Sequence, residues 1–257
     1  VTMKAPRWMF VTFAVPVVLI ALWTLYAGIS RSLYWPSPTA IVGVFPKTWL
    51  DGRLSADVFP SLMRLLVGYI CALVIGITIG VVVGSIRRLR LYVEPVFELF
   101  RAIPPPVLVP VVMLVTGIGA NMQLTVIAFG CIWPILINTV EGVRGVDLTQ
   151  IDTAKSYRIG GWRRLTTVVL PAASPKIFVG ARQSLSIGII MMVISEMFAS
   201  TNGIGFNIIQ FQRLFQFKEM WSGIILLGII GVAANVIFKF IERRVLRWYV
   251  GMQTQER

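Results

Sequence analysis

The stretch Leu65-Leu66-Val67-Gly68-Tyr69-Ile70-Cys71-Ala72-Leu73-Val74-Ile75-Gly76-Ile77-Thr78-Ile79-Gly80-Val81-Val82-Val83-Gly84 contains no charged residue. About 20 such residues in a helix, rising ~1.5 Å each, match the hydrocarbon thickness of a bilayer. Within lipid every backbone polar group needs an internal partner, so the stretch predicts a membrane-spanning helix. Its small residues recur at every fourth position, Gly68, Ala72, Gly76, Gly80 and Gly84. At 3.6 residues per turn they form one drifting stripe, which predicts close approach of a neighbouring helix within the subunit rather than a dimer contact.

Five further apolar segments flank it: Met9 to Gly28, Ala102 to Gly119, Asn121 to Val140, Ile177 to Ala199 and Met220 to Phe238. The expected fold class is therefore all-α, a polytopic membrane protein with six transmembrane helices and a cytoplasmic coupling-helix loop. The chain reads as one membrane domain over residues 1–257, with that loop at about 144–176. The composition agrees, with 56% hydrophobic and 14% charged residues and a mean hydropathy of +0.80. The first segment follows Lys4 and Arg7 and is too long for a cleaved signal sequence, so it is expected to be a retained anchor. The fifth carries Arg182 and Glu196 and is kept on length and parity.

The 24 Lys and Arg against 11 Asp and Glu raise the question of nucleic acid, and their placement answers it. With both termini inside, one side collects Lys4, Arg7, Arg87, Arg88, Arg90, Arg144, Lys155, Arg158, Arg163, Arg164, Lys176, Lys239, Arg243, Arg244, Arg247 and Arg257. The other collects Arg31, Lys47, Arg53, Arg213 and Lys218, with Arg64 near that boundary. This is the positive-inside bias of an inner-membrane protein, not a nucleic-acid patch. With no His, Ser-His-Asp and Cys-His catalysis and His-ligated metals are excluded. Cys71 and Cys131 lie in apolar runs and read as packing residues.

The loop from Asp147 to Pro171 is the most informative hydrophilic stretch. Asp147 followed by Gln150 predicts the start of a short helix. Gly160 and Gly161 should end it, with Gly160 supplying a positive-φ reversal. A second short helix should run from Trp162, bury Leu165, Val168 and Val169, and stop at Pro171. Such a pair forms a knob suited to a groove on another protein.

Pro104, Pro105 and Pro106 rule out regular helix at the start of the third span, and both a pathway-lining role and a plain kink remain open. Arg101 stands three residues after Glu98, which fits a local ion pair or an anion-attracting charge at the mouth. Arg182, close to the cytoplasmic end of its span, should snorkel rather than bind substrate. Glu196 either holds the turn Asn202 to Gly205 or lines an outer gate.

The loop resembles the coupling-loop signature of ATP-binding-cassette importer permeases, in which an acidic residue and two alanines precede a Gly and then Leu-Pro about 20 residues on. Here Asp152, Thr153 and Ala154 open it and Leu170 and Pro171 close it. Asp stands for Glu, Thr for the first Ala, and Arg158 for the Gly. Arg101-Ala-Ile-Pro104-Pro105-Pro106, with Gly117-Ile118-Gly119, and the segment from Glu196 through Gly203 and Gly205 are similar to sulfonate, taurine and nitrate permeases.

The resemblance implies a homodimer of permease copies, two cytoplasmic ATPase subunits and an extracytoplasmic solute-binding protein. It implies coupling through Asp152, Thr153, Ala154, Arg158, Gly160, Gly161, Leu170 and Pro171. Arg101, Pro104, Pro105, Glu196, Gly203 and Gly205 are pathway or gate candidates. The chain has no G-x-x-x-x-G-K-[ST] loop, so no cofactor is expected in it, and ATP and Mg belong to the ATPase. An ion-coupled secondary transporter is the alternative, and it would need central carboxylates.

Overall fold

A computed structural model describes residues 5–30, 32–249 and 251, with side chains from residue 14 onward. The described residues are helical throughout, joined by short turns. In order they are α1 (Ala5–Ser30), α2 (Pro38–Trp49), α3 (Phe59–Ser85), α4 (Arg87–Ala102), α5 (Val109–Thr116), α6 (Ala120–Arg144), α7 (Leu148–Ser156), α8 (Gly161–Arg164), α9 (Leu170–Ala199), α10 (Ile204–Arg213) and α11 (Phe217–Val245).

The stripe on α3 packs as its spacing requires. A Cβ placed on Gly68, Gly76 or Gly84 would lie 2.8–2.9 Å from Ile127, Ile135 or Val143 of α6, and one on Gly80 would lie 2.6 Å from Thr139. Both series advance together, so α3 and α6 run parallel. Since α3 ends beside the end of α6, the chain must return across the membrane between them. The returning element is α4 with α5, a pair bent by 85°.

Here the expected third span is corrected. The segment Ala102 to Gly119 is not one helix: Ile103 and Pro104 are extended, a 3-10 turn covers Pro105–Leu108, and α5 has only 8 residues. Consecutive prolines remove donors and clash with preceding carbonyls, and the length is made up by α4, which the sequence reading places in a loop. Four described helices are long and apolar enough to cross a membrane, and the bent pair makes a fifth. Of the first expected span, the side chains before residue 14 lie outside the described residues, and its described apolar helix is Ala14–Ser30. Trp23 of α1 packs 5.2 Å from Trp221 of α11.

Against α6 lies α9, running antiparallel, again through small residues. A Cβ on Gly180 would lie 2.5 Å from the Pro134 carbonyl, and Gly142 meets the Ala173 carbonyl. Ser184 Oγ donates to the Cys131 carbonyl at 2.6 Å, and Cys131 Sγ donates to the Ser184 carbonyl at 3.3 Å. Tyr69 of α3 donates to the Ala181 carbonyl at 2.7 Å. Cys131 thus packs as expected, whereas Cys71 is exposed on the outer surface of α3.

The stop at Pro171 is also corrected. From Gly161 to Ala199 the helix is continuous over 39 residues. The turn Leu165–Val169 widens to π geometry, with the Leu170 N–H donating to the Leu165 carbonyl. One extra residue in the turn accommodates the proline ring, which would otherwise crowd the carbonyl of Thr167. The same device precedes Pro60, where Phe59 N–H reaches the Leu54 carbonyl. A helix of ~58 Å exceeds a hydrocarbon core of ~30 Å, so its first turns project beyond the membrane.

Replacing Gly76 by Leu should separate α3 from α6 at a cost of about 1–3 kcal/mol, whereas Gly228→Leu, with nothing within 4 Å of the new Cβ, should be tolerated. Yield and thermal midpoint in detergent distinguish the two, and equal behaviour would contradict the packing assignment.

Candidate functional site

At the base of the projecting helix, α7 begins where Asp147 caps it, the carboxylate accepting from Thr149 N–H at 2.8 Å. The helix ends in a Schellman turn: Ile159 N–H donates to the Ala154 carbonyl at 2.9 Å and Arg158 N–H to Lys155 at 2.8 Å. The left-handed position of this turn is Arg158, at φ 53°. Gly160, expected to supply the reversal, has φ −58° and ψ 156°, which any residue adopts. The reversal needs one left-handed residue at the position after the helix cap, and in this register that residue is Arg158. Gly161 then opens α8.

The remaining loop candidates separate by exposure. Asp152 is exposed and paired with Lys155 at 2.9 Å, and Thr153 Oγ1 donates to the Thr149 carbonyl at 2.7 Å. Ala154 is buried within the chain itself. It lines a cavity of about 770 Å³ with Thr153, Tyr157, Ile159, Pro171 and Trp248. Leu170, with Leu165 and Val169, packs on Val81, Val143, Ala173 and Ile177. What the knob presents outward is Leu148, Tyr157 and Trp162, each 74–79% exposed. Sequence reading used Trp162 only as a helix start and passed over Leu148 and Tyr157, though large apolar residues in a basic loop are a signal in themselves.

At the opposite end of α9 lies a buried polar cluster. Glu196 is fully buried. Its Oε1 accepts from Ser61 at 2.6 Å and from Arg64 at 3.0 Å, and its Oε2 accepts from the Gly205 N–H at 2.9 Å. Ser61 Oγ accepts the Ile204 N–H at 3.1 Å, and Asp57 accepts the Gly203 N–H at 2.8 Å. Arg64 also donates to Asn202. Three successive N–H groups at the start of α10 are thus satisfied by side chains from two other helical segments, where the helix dipole favours negative charge.

Gly203 is required twice over, by φ 120° and by a would-be Cβ 2.5 Å from the Glu196 carboxyl carbon. At Gly205 a Cβ would meet the Val193 carbonyl at 2.4 Å. Of the two readings of Glu196, the geometry supports the one in which it holds the turn. Ser61, Arg64 and Asp57 were not seen from sequence as its partners, although Arg64 and Glu196 sit at one membrane depth.

The bend candidates stand apart from this cluster. Arg101, in the last turn of α4, is exposed and forms no ion pair with Glu98 among the described residues; both line a small cavity with Arg90, Glu94 and Arg144. Pro104 and Pro105 form the break itself. Arg182 reaches Glu242 of α11 at 3.7 Å, half-exposed, which fits its expected snorkelling.

These geometries make opposite predictions at three positions. Arg158→Gly should stabilise the loop by about 1 kcal/mol, because glycine carries no left-handed penalty. Gly203→Ala should destabilise by about 2 kcal/mol or more, and Gly160→Ala should stay within about 0.5 kcal/mol of the parent. Thermal midpoints of the three purified variants give the order, and a destabilised Gly160→Ala would contradict the loop geometry.

Residues 72–249 match the family described as binding-protein-dependent transport system inner membrane component. The chain is 30% identical over 235 residues to the SsuC permease protein of Bacillus subtilis strain 168, described for aliphatic sulfonates transport, covering 91% of this chain and 85% of that protein. It is 26% identical over 243 residues to the taurine transport system permease protein TauC of Escherichia coli strain K12, covering 92% and 88%. Among solved structures, a chain from inward-facing conformations of the MetNI methionine ABC transporter aligns with a TM-score of 0.66 at 20% identity, over 78% of this chain and 98% of that one. That likeness concerns the fold. The chain belongs to the binding-protein-dependent transport system inner membrane component family of permeases.

Proposed function

We propose that this permease forms the solute pathway of an ATP-driven importer in a bacterial inner membrane and receives the drive through the α7–α8 knob. The observation that carries the reading is the exposed set Leu148, Tyr157 and Trp162 on a capped, charged loop. Those side chains stand on the basic side of the membrane at the root of a helix that continues unbroken to the outer cluster. A groove on a cytoplasmic ATPase subunit, which would hold ATP and Mg, would cover them. Asp152 supplies the polar rim, and Arg158 holds the turn in place of glycine.

Family membership supports an assembly with two ATPase subunits and an external solute-binding protein; we assign it a second copy of this permease, and the bias of Lys and Arg supports cytoplasmic termini. The solute belongs to the small sulfonate, taurine or nitrate type, a reading supported by the relatives named for aliphatic sulfonates and taurine. Arg101, Pro104 and Pro105 at the bend are assigned to the pathway, and the Glu196–Gly203–Gly205 cluster to the outer gate as its fixed frame. An ion-coupled carrier is less well supported. It would need a membrane carboxylate free to bind a cation, and Glu196 is held by Ser61, Arg64 and Gly205.

Tyr157→Ser with Trp162→Ser should leave the permease folded and membrane-inserted while weakening ATPase association by about tenfold or more, since buried aromatic anchors dominate such interfaces. Asp152→Lys should lower substrate-stimulated ATP hydrolysis. Pull-down of the ATPase and hydrolysis in the purified complex measure these effects, and unaltered values in all variants would remove the knob from the coupling path.

A further inference from the structure

Between the end of α3, the start of α4, the end of α6 and the root of the projecting helix lies a cavity of about 510 Å³. Arg87, Arg90, Arg144 and Arg164 line it, with Ser85 and Gly161, and no acidic residue does. Among the described residues none of the four guanidinium groups donates a hydrogen bond or forms an ion pair. The carboxylates Glu94, Glu98 and Glu141 line an adjoining smaller cavity that shares Arg90 and Arg144, and Glu141 is engaged by Lys176 at 3.5 Å. In addition, α4 starts at Arg87 with no side chain capping its first N–H groups, which adds partial positive charge.

Four guanidinium groups lining one cavity with no carboxylate in its wall repel one another, and a bound anion relieves that repulsion. Guanidinium groups match phosphate oxygens in paired hydrogen bonds, so phosphate is the anion this donor set fits. The cavity also sits where α3 and α6 reach the membrane surface. Beside it Val82, Ile86 and Leu91 are 46–63% exposed, apolar surface suited to acyl chains rather than to water.

We propose that this cavity binds the phosphate of an anionic phospholipid headgroup in the leaflet at which α3 and α6 end. Basic pockets between spans on the cytoplasmic side recognise headgroups in this way. The ligand would bridge α4, α6 and the root of the knob, so the lipid would brace the segment that transmits the drive. The site needs only the membrane placement of the helices, and it stands or falls separately from the identity of the solute or the ATPase.

The test uses the full-length permease and needs no variant for its first arm. Its thermal midpoint is compared in nanodiscs of phosphatidylglycerol and of phosphatidylcholine, and in detergent with and without inorganic phosphate. The second arm measures retained phosphatidylglycerol by native mass spectrometry in R90Q/R164Q, with R88Q/R163Q, whose arginines do not line the cavity, as control. Phosphatidylglycerol should raise the midpoint above that in phosphatidylcholine, and R90Q/R164Q should retain it roughly tenfold less while the control retains it in full. A stabilisation by inorganic phosphate alone, lost in R90Q/R164Q, would keep the phosphate site and overturn its lipid source. Equal midpoints in both lipids without a phosphate effect, or equal lipid retention by R90Q/R164Q and the parent, would overturn the proposal.

Discussion

Lipid tails are as apolar as leucine, so no hydrophobic driving force holds one spanning helix against another, and contact must come from close packing and hydrogen bonds. In this permease that constraint is met along one continuous seam. The small residues of α3 admit the β-branched side chains of α6, and the glycines of α6 and α9 admit each other's backbones. Reciprocal bonds between Ser184 and Cys131, and the Tyr69 hydroxyl on Ala181, fix the register. The α7–α8 knob and the Glu196 cluster are attached to the two ends of this three-helix frame.

At one end, α9 continues past the membrane surface and carries the knob. At the other, Glu196 on the same helix gathers Ser61 and Arg64 from α3 and the start of α10. A displacement of the knob therefore has a rigid path to the outer face, because packed helices shift as bodies rather than deform. The bent pair α4–α5 is the exception. Apart from Val109 it has no buried residue, so it is the part of the span set least tied to the frame.

Much of this was legible in the sequence, because a spacing of four along an apolar helix has one geometric meaning. The stripe Gly68 to Gly84, the Asp147 cap and the break at Pro104 and Pro105 followed from local rules alone. The misreadings arose where a local rule was overridden by an adjustment one turn away. Pro171 does not end a helix because the π turn before it makes room. Gly160 does not supply the reversal because Arg158 already occupies the left-handed position. The outer helices α2 and α10 escaped notice because their stability is tertiary, resting on Trp49, Ile208 and Phe211 and the Trp49 bond to Ser222. The side-chain partners of Glu196, Ser61 and Arg64, lie more than 130 residues away in sequence, a separation that no spacing rule bridges.

The most direct measurement of the central claim is solute uptake into vesicles containing the permease with its ATPase and solute-binding protein, with the energy source controlled. The account predicts uptake that requires ATP on the knob side and the binding protein on the other, and that persists when ion gradients are collapsed. Uptake by the permease alone, driven by an ion gradient and indifferent to ATP, would contradict it.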